Sequence, residues 1–131
     1  MTHSRRTFVA SLGALAATPL VAQTPPAFPN KVIRIVPFGT GGGPIDTLAR
    51  VYADKLSARW GQPVIVDAKP GASGIIAADF VAKAPADGYT VMMTLPLTHV
   101  NVPILQKTPY DPAKDFTPLS MVSTGGPIIV A

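Results

Sequence analysis

Residues 33–49, reading IRIVPFGTGGGPIDTLA, constrain this chain more than any other stretch. An apolar run of β type (Ile33, Ile35, Val36) enters a loop that carries Gly39, Gly41, Gly42 and Gly43, and a helix then begins near Pro44 to Asp46. Glycines let backbone pass close to a ligand and reach φ > 0. The helix start behind them presents unpaired N–H groups and the positive end of a dipole. Strand, Gly-rich loop and helix N-terminus together suit a small anion.

The rest of the chain repeats that grammar. Residues 23–30 (QTPPAFPN) form a Pro-rich lead-in without periodicity. Residues 31–36 read as a strand whose near-continuous apolar run suits burial on both faces, as in a parallel sheet. Residues 45–60 show helical spacing: Leu48, Tyr52 and Leu56 lie at i, i+4 and i+8, flanked by Ile45, Ala49 and Ala53. Gly61 is placed to stop that helix, and Tyr52 and Trp60 read as packing residues. Residues 63–66 form a second strand, leading through DAKPGASG into a second helix that opens at Ser73 or Gly74 and ends near Ala84. Ala86-Asp87-Gly88 is a turn. Residues 89–94 are a third strand, followed by a loop over residues 96–99 and a short helix over 102–106. Residues 107–114 are irregular, and residues 116–123 and 127–131 read as β-like.

Strands alternating with helices imply a parallel α/β sheet with right-handed crossovers. Ligands of such sheets sit outside the carboxyl ends of the strands. The loops at 37–46, 68–74 and 94–99 all follow strands and therefore converge on one edge. The chain stops on the apolar residues Ile128 to Ala131 without a cap or polar tail, and we expect a piece to be missing.

Several chemistries are excluded. The sixth position of the dinucleotide fingerprint that Gly39 and Gly41 would start needs glycine where Pro44 stands, and no Gly-Lys-Ser/Thr follows the glycines to make a P-loop. There is no G-x-S-x-G elbow. The chain has no cysteine, which removes disulfides and thiolate catalysis. Beyond the first 22 residues His99 is the only histidine, so no His-based metal cluster is expected, and no cofactor. Its net charge of +4 carries no basic stripe with interleaved aromatics, so no nucleic-acid partner is expected. His99 reads either as a hydrogen-bonding structural residue or as a ligand contact on its edge loop. Asp46 could cap the helix, lock the Gly loop by accepting backbone N–H bonds, or meet an ammonium or hydroxyl on a ligand.

Residues 1–22 read as a removable leader. Arg5 and Arg6 precede the ten-residue apolar stretch at 8–17, with a small residue, Ala22, before Gln23. Ser4-Arg5-Arg6-Thr7-Phe8-Val9 resembles a twin-arginine export signal, and a general secretory leader fits the same residues. Either predicts a periplasmic product cleaved near Ala22.

The ordered motifs resemble one family. They are Phe28-Pro29 with Lys31 leading to Pro37-Phe38, the Gly loop closing on Asp46 and Leu48-Ala49-Arg50, and Gly61-Gln62-Pro63-Val64 with Val66. They continue with Lys69 to Gly74, Ala84 to Thr90, Thr98-His99, and Pro109-Tyr110-Asp111-Pro112 with Lys114-Asp115-Phe116. This sequence is similar to the extracytoplasmic solute-binding receptors of tripartite tricarboxylate transporters, the Bug family. The resemblance implies an α/β fold of the type II periplasmic-binding-protein kind, about twice this length. Residues 31–124 would supply most of the first lobe, and residues 125–131 would begin the crossover to the second. It further implies a non-enzymatic receptor, monomeric at full length, that captures a small carboxylate and delivers it to membrane transporter subunits. Its ligand contacts would be Phe38, Thr40, Gly41, Gly42 and Asp46 on one loop, Thr98 and His99 on another, and Ser73 at the neighbouring helix start. The Gly loop is one residue longer than the family's usual loop, and Asn101 is separated from Pro103 by Val102. The competing readings are an α/β enzyme holding a nucleotide or phosphorylated substrate at the Gly loop, and a truncated product that binds nothing.

Overall fold

The computed structural model of the protein describes residues 27–124. The expected leader and the expected strand at 127–131 lie outside them. The elements run β1 (Ile33–Pro37), α1 (Pro44–Trp60), β2 (Val64–Val66), α2 (Ile75–Ala82), β3 (Thr90–Met93) and α3 (Val102–Leu105). A tight turn at Ala72–Gly74 leads into α2, and a π-helical turn at Leu97–Asn101 leads into α3.

The three strands form one parallel sheet in the order β2-β1-β3, with Ile33 opposite Val64 and Ile35 opposite Val91. Alternation divides β1 between two faces. Ile33 and Ile35 join Val64, Ala49 and Ala53 in the core beneath α1, with Tyr52, Leu56, Val66, Val91 and Met93 packed around them. Burying a side chain such as Ile35 stabilises the domain by about 1.5–3 kcal/mol. Val36, fully buried, faces the opposite side, where α2 lies against β1 and β3. The strand is thus covered on both faces, as its apolar run predicts.

The α1 stripe is centred on Ala49 and Ala53, not on Leu48, which is only half-buried. Two alanines one turn apart let the helix axis come close to the sheet, and Tyr52 and Leu56 seal the flank. Pro44 stands in the first turn, where its missing N–H is no loss. Gly61 ends the helix at φ 65°, with its N–H donating to the Ser57 carbonyl oxygen at 2.9 Å. The Ser57 hydroxyl in turn accepts from the Val64 N–H at 2.8 Å, which ties the helix end to β2.

Two expectations are corrected. Residues 116–123 form no strand; Leu119 and Met121 are largely exposed, and among the described residues no neighbouring strand offers them a ladder. The expected loop at 96–99 is largely a π-helical turn continuous with α3. Pro103 explains it, because a residue without an N–H cannot close the usual bond to the His99 carbonyl, and the helix widens upstream.

Candidate functional site

All three strands run the same way, so the segments after β1, β2 and β3 leave the sheet at one edge. Because β1 is the middle strand, the loop it feeds lies between the other two.

The first loop is fastened to its own helix. The Gly42 N–H donates to Asp46 Oδ2 at 2.8 Å, and Arg50 Nε donates to the same oxygen at 2.9 Å. Arg50 Nη2 reaches Asp46 Oδ1 at 3.3 Å. Asp46 is 2% exposed, so these donors replace the water that its carboxylate gives up. The Arg50 guanidinium first, and then the Gly42 amide, hold the Asp46 carboxyl below its usual value. Of the roles open to Asp46, the geometry is that of a loop lock. It makes no side-chain cap of the helix, whose N-cap is Gly43. Thr40, Gly41 and Gly42 are exposed, and among the described residues the amides of Thr40 and Gly41 have no hydrogen-bond partner. Gly39 and Gly42 hold φ of 95° and 82°, conformations that glycine reaches without strain.

The second loop is the most contorted part of the chain. Gly71, Ala72, Ser73 and Gly74 take φ of 121°, 46°, 53° and 89° in succession. Two of the four are not glycines, and each carries a strain of about 1–3 kcal/mol that its surroundings must hold. At its start the Asp67 carboxylate accepts from Arg34 at 2.9 Å and pairs with Lys69 at 3.1 Å. Ser73 is exposed, and Gly74 is buried.

The third loop holds the fully buried Thr98. Its hydroxyl donates to the Ser73 carbonyl oxygen at 3.3 Å. Gly74 completes the junction: a Cβ there would fall 2.6 Å from Thr98 Oγ1 and inside contact with the Phe38 ring. Phe38 from the first loop, Gly74 from the second and Thr98 from the third therefore meet at one point. The Phe38 N–H also donates to the Met93 carbonyl oxygen at 2.8 Å, extending the β1–β3 pairing to the edge.

Of the eight site residues expected from sequence, Phe38, Ser73, Thr98 and the Asp46-locked loop with Thr40, Gly41 and Gly42 share this edge. His99 instead packs edge-on against Phe116 and Tyr110, with ring centroids 4.6 and 6.2 Å away. Burial there pushes its imidazole below the usual value. Two residues that sequence reasoning gave no role sit at the junction. Gly74 is the contact point of all three loops, and Tyr110 donates its phenol O–H to the Thr98 carbonyl oxygen at 2.8 Å. Among the described residues no three His, Cys, Asp or Glu side chains gather to hold a metal.

Comparison with known proteins agrees with this arrangement. Residues 48–131 match the family described as tripartite tricarboxylate transporter family receptor. Protein BugT of Bordetella pertussis is 42% identical over 118 residues, which cover 88% of this chain and 34% of BugT. Among solved structures, MatC of Rhodopseudomonas palustris with bound malate is 40% identical, with a TM-score of 0.62 over 70% of this chain and 31% of MatC. A second R. palustris protein, solved with adipate, is 44% identical, with a TM-score of 0.54 over 56% of this chain and 24% of its own. The chain spans little more than a third of the length of the curated relatives it matches. On these matches and the parallel sheet with its flanking helices, the chain belongs to the tripartite tricarboxylate transporter receptor family and carries part of the periplasmic-binding-protein fold.

Proposed function

We propose that this chain is the carboxylate-gripping part of a periplasmic solute-binding receptor. The observation that carries the reading is the junction of three strand-following loops at Gly74, beside a Gly loop that Asp46 fastens through Gly42 and whose Thr40 and Gly41 amides have no partner among the described residues. One ligand carboxylate would take the amides of Thr40 and Gly41, with Phe38 and Gly42, whose own amides are bonded to Met93 and Asp46, shaping the loop around it. Ser73 and the Thr98 loop would form the adjoining wall. Free amides near a helix start bind a carboxylate well without a dedicated cation. That suits an edge whose arginines and lysines, Arg34, Arg50 and Lys69, are already paired with aspartates.

Two similar proteins solved with malate and adipate support a dicarboxylate as ligand. The relatives' greater length supports a second lobe that would read the distal end. Family membership supports delivery to membrane transporter subunits by a monomeric receptor, and export through a leader cleaved near Ala22, with residues 31–124 as the first-lobe domain. The reading is of a receptor, not a catalyst, which the family's description as a transporter receptor supports.

Isothermal titration against malate, adipate and a set of tricarboxylates tests it, on this chain and on a version extended by a second lobe. Saturable binding of a carboxylate is the expected outcome. Absence of binding to every acid by both proteins, or tighter binding of a nucleotide, would overturn it.

A further inference from the structure

The segment at residues 107–114 has no periodicity and belongs to no helix or strand, yet it holds one of the most buried aromatic residues of the chain. Tyr110 is 6% exposed. Its phenol O–H donates to the Thr98 carbonyl oxygen at 2.8 Å, and Thr98 passes the connection on by donating its own hydroxyl to the Ser73 carbonyl oxygen at 3.3 Å. The ring is wedged edge-on against Phe116 and His99, at 5.7 and 6.2 Å. Thr108 fixes the local backbone by donating to the Tyr110 carbonyl oxygen at 2.9 Å.

We infer that Tyr110 is a positioning residue of the binding edge, acting through a Tyr110–Thr98–Ser73 relay that sets the third loop against the second. This rests on the carboxylate-receptor reading, and its physical case is independent of the ligand's identity. Four residues in succession at positive φ do not hold themselves, and two of them, Ala72 and Ser73, are not glycines. Something outside the loop must over-determine them. The Thr98 hydroxyl on the Ser73 carbonyl is the bond from outside that reaches the strained run, and Gly74 is the close contact beside it. Thr98 can do this only if its own backbone is fixed. Its N–H donates to the Leu95 carbonyl oxygen at 3.2 Å, and its carbonyl is fixed by Tyr110.

The test compares Tyr110→Phe, Thr98→Val and the double variant by amide hydrogen exchange, thermal melting and carboxylate titration well below each melting temperature. Tyr110→Phe keeps the ring wedge and deletes only the donor. We expect faster exchange at Gly74, whose N–H donates to the Gly71 carbonyl oxygen at 3.0 Å, as well as near Thr98, and affinity roughly tenfold weaker, a common cost of a lost bond to a buried acceptor. Thr98→Val should free the second loop alone. In the double variant the effects at Gly74 should fall well short of additive, as members of one chain of contacts do. A merely structural Tyr110 would lower the melting temperature and leave affinity and Gly74 exchange unchanged, which overturns the inference. Additive effects would also overturn it. If neither this chain nor its version extended by a second lobe binds a carboxylate, the receptor reading fails, and the exchange arm still decides the relay. If Tyr110→Phe does not fold, Thr98→Ser, which keeps the hydroxyl, must restore the Gly74 protection lost in Thr98→Val for the relay to stand.

Discussion

The Gly42 amide donates to Asp46 Oδ2 at 2.8 Å, so the Gly-rich loop is bolted to the first turn of the helix it feeds. The bolt is charged at one end only. Asp46 is almost inaccessible, whereas its partner Arg50 is 60% exposed and can solvate the rest of its guanidinium. A buried carboxylate with one neutral and one cationic donor lies below its ordinary value of 3.8. Its contribution to stability is then complete above that ordinary value and fades as the pH falls through the depressed one. Asp46→Asn should remove this part of the acid sensitivity. Urea unfolding at pH 7 and pH 3 is the check: the variant should lose less stability on acidification than the parent.

Gly74→Ala should be among the most damaging single-methyl changes. The new Cβ would press on the Phe38 ring and on Thr98 Oγ1 with no flexible tail to move aside. Overpacking of this kind costs about 1–3 kcal/mol, and φ of 89° adds about 1–2 kcal/mol for a residue with a side chain. Chemical denaturation should report the loss, and carboxylate affinity should fall with it.

Gly61→Ala isolates the backbone term. The φ of 65° is similarly left-handed, but a Cβ there meets nothing within 4 Å. The loss should be only about 1–2 kcal/mol, read by the same denaturation, with ligand affinity unchanged.

His99 supplies a second pH dependence of known sign. Burial among Tyr110 and Phe116 holds its imidazole below the ordinary 6.5. The unfolded chain therefore binds the proton first, and stability falls as the pH drops from about the ordinary value through the lowered one. His99→Phe should flatten the melting-temperature change between pH 7 and pH 5, and a slope as steep as the parent's would refute this account.

The sequence announced the sheet and α1 because both are periodic. Ile33 and Ile35 alternate with Arg34, and Tyr52 and Leu56 recur at one turn. It also placed the three loops on one edge, since parallel strands separated by helices leave little choice. It gave no sign of the junction at Gly74, because a glycine between two loops looks like any other turn glycine until the Phe38 ring is set beside it. Tyr110 was hidden for a related reason: its partner is a backbone carbonyl, which carries no residue identity to pair with. Residues 116–123 misled in the opposite direction. Their apolar residues have strand propensity, but a strand exists only where a neighbouring strand supplies hydrogen bonds, and Leu119 and Met121 stand open instead.

Of the glycines in the first loop, Gly39 and Gly42 are needed for their backbone conformation, and a Cβ added at Gly43 would stand 3.3 Å from the Thr40 carbonyl oxygen. Gly41 is under neither constraint: its φ is ordinary and the space beside it is empty. A Cβ grown there meets open space and leaves the Asp46 bolt undisturbed. On the proposed carboxylate reading, Gly41 would then be the place where ligand choice can be retuned while the scaffold stays as it is.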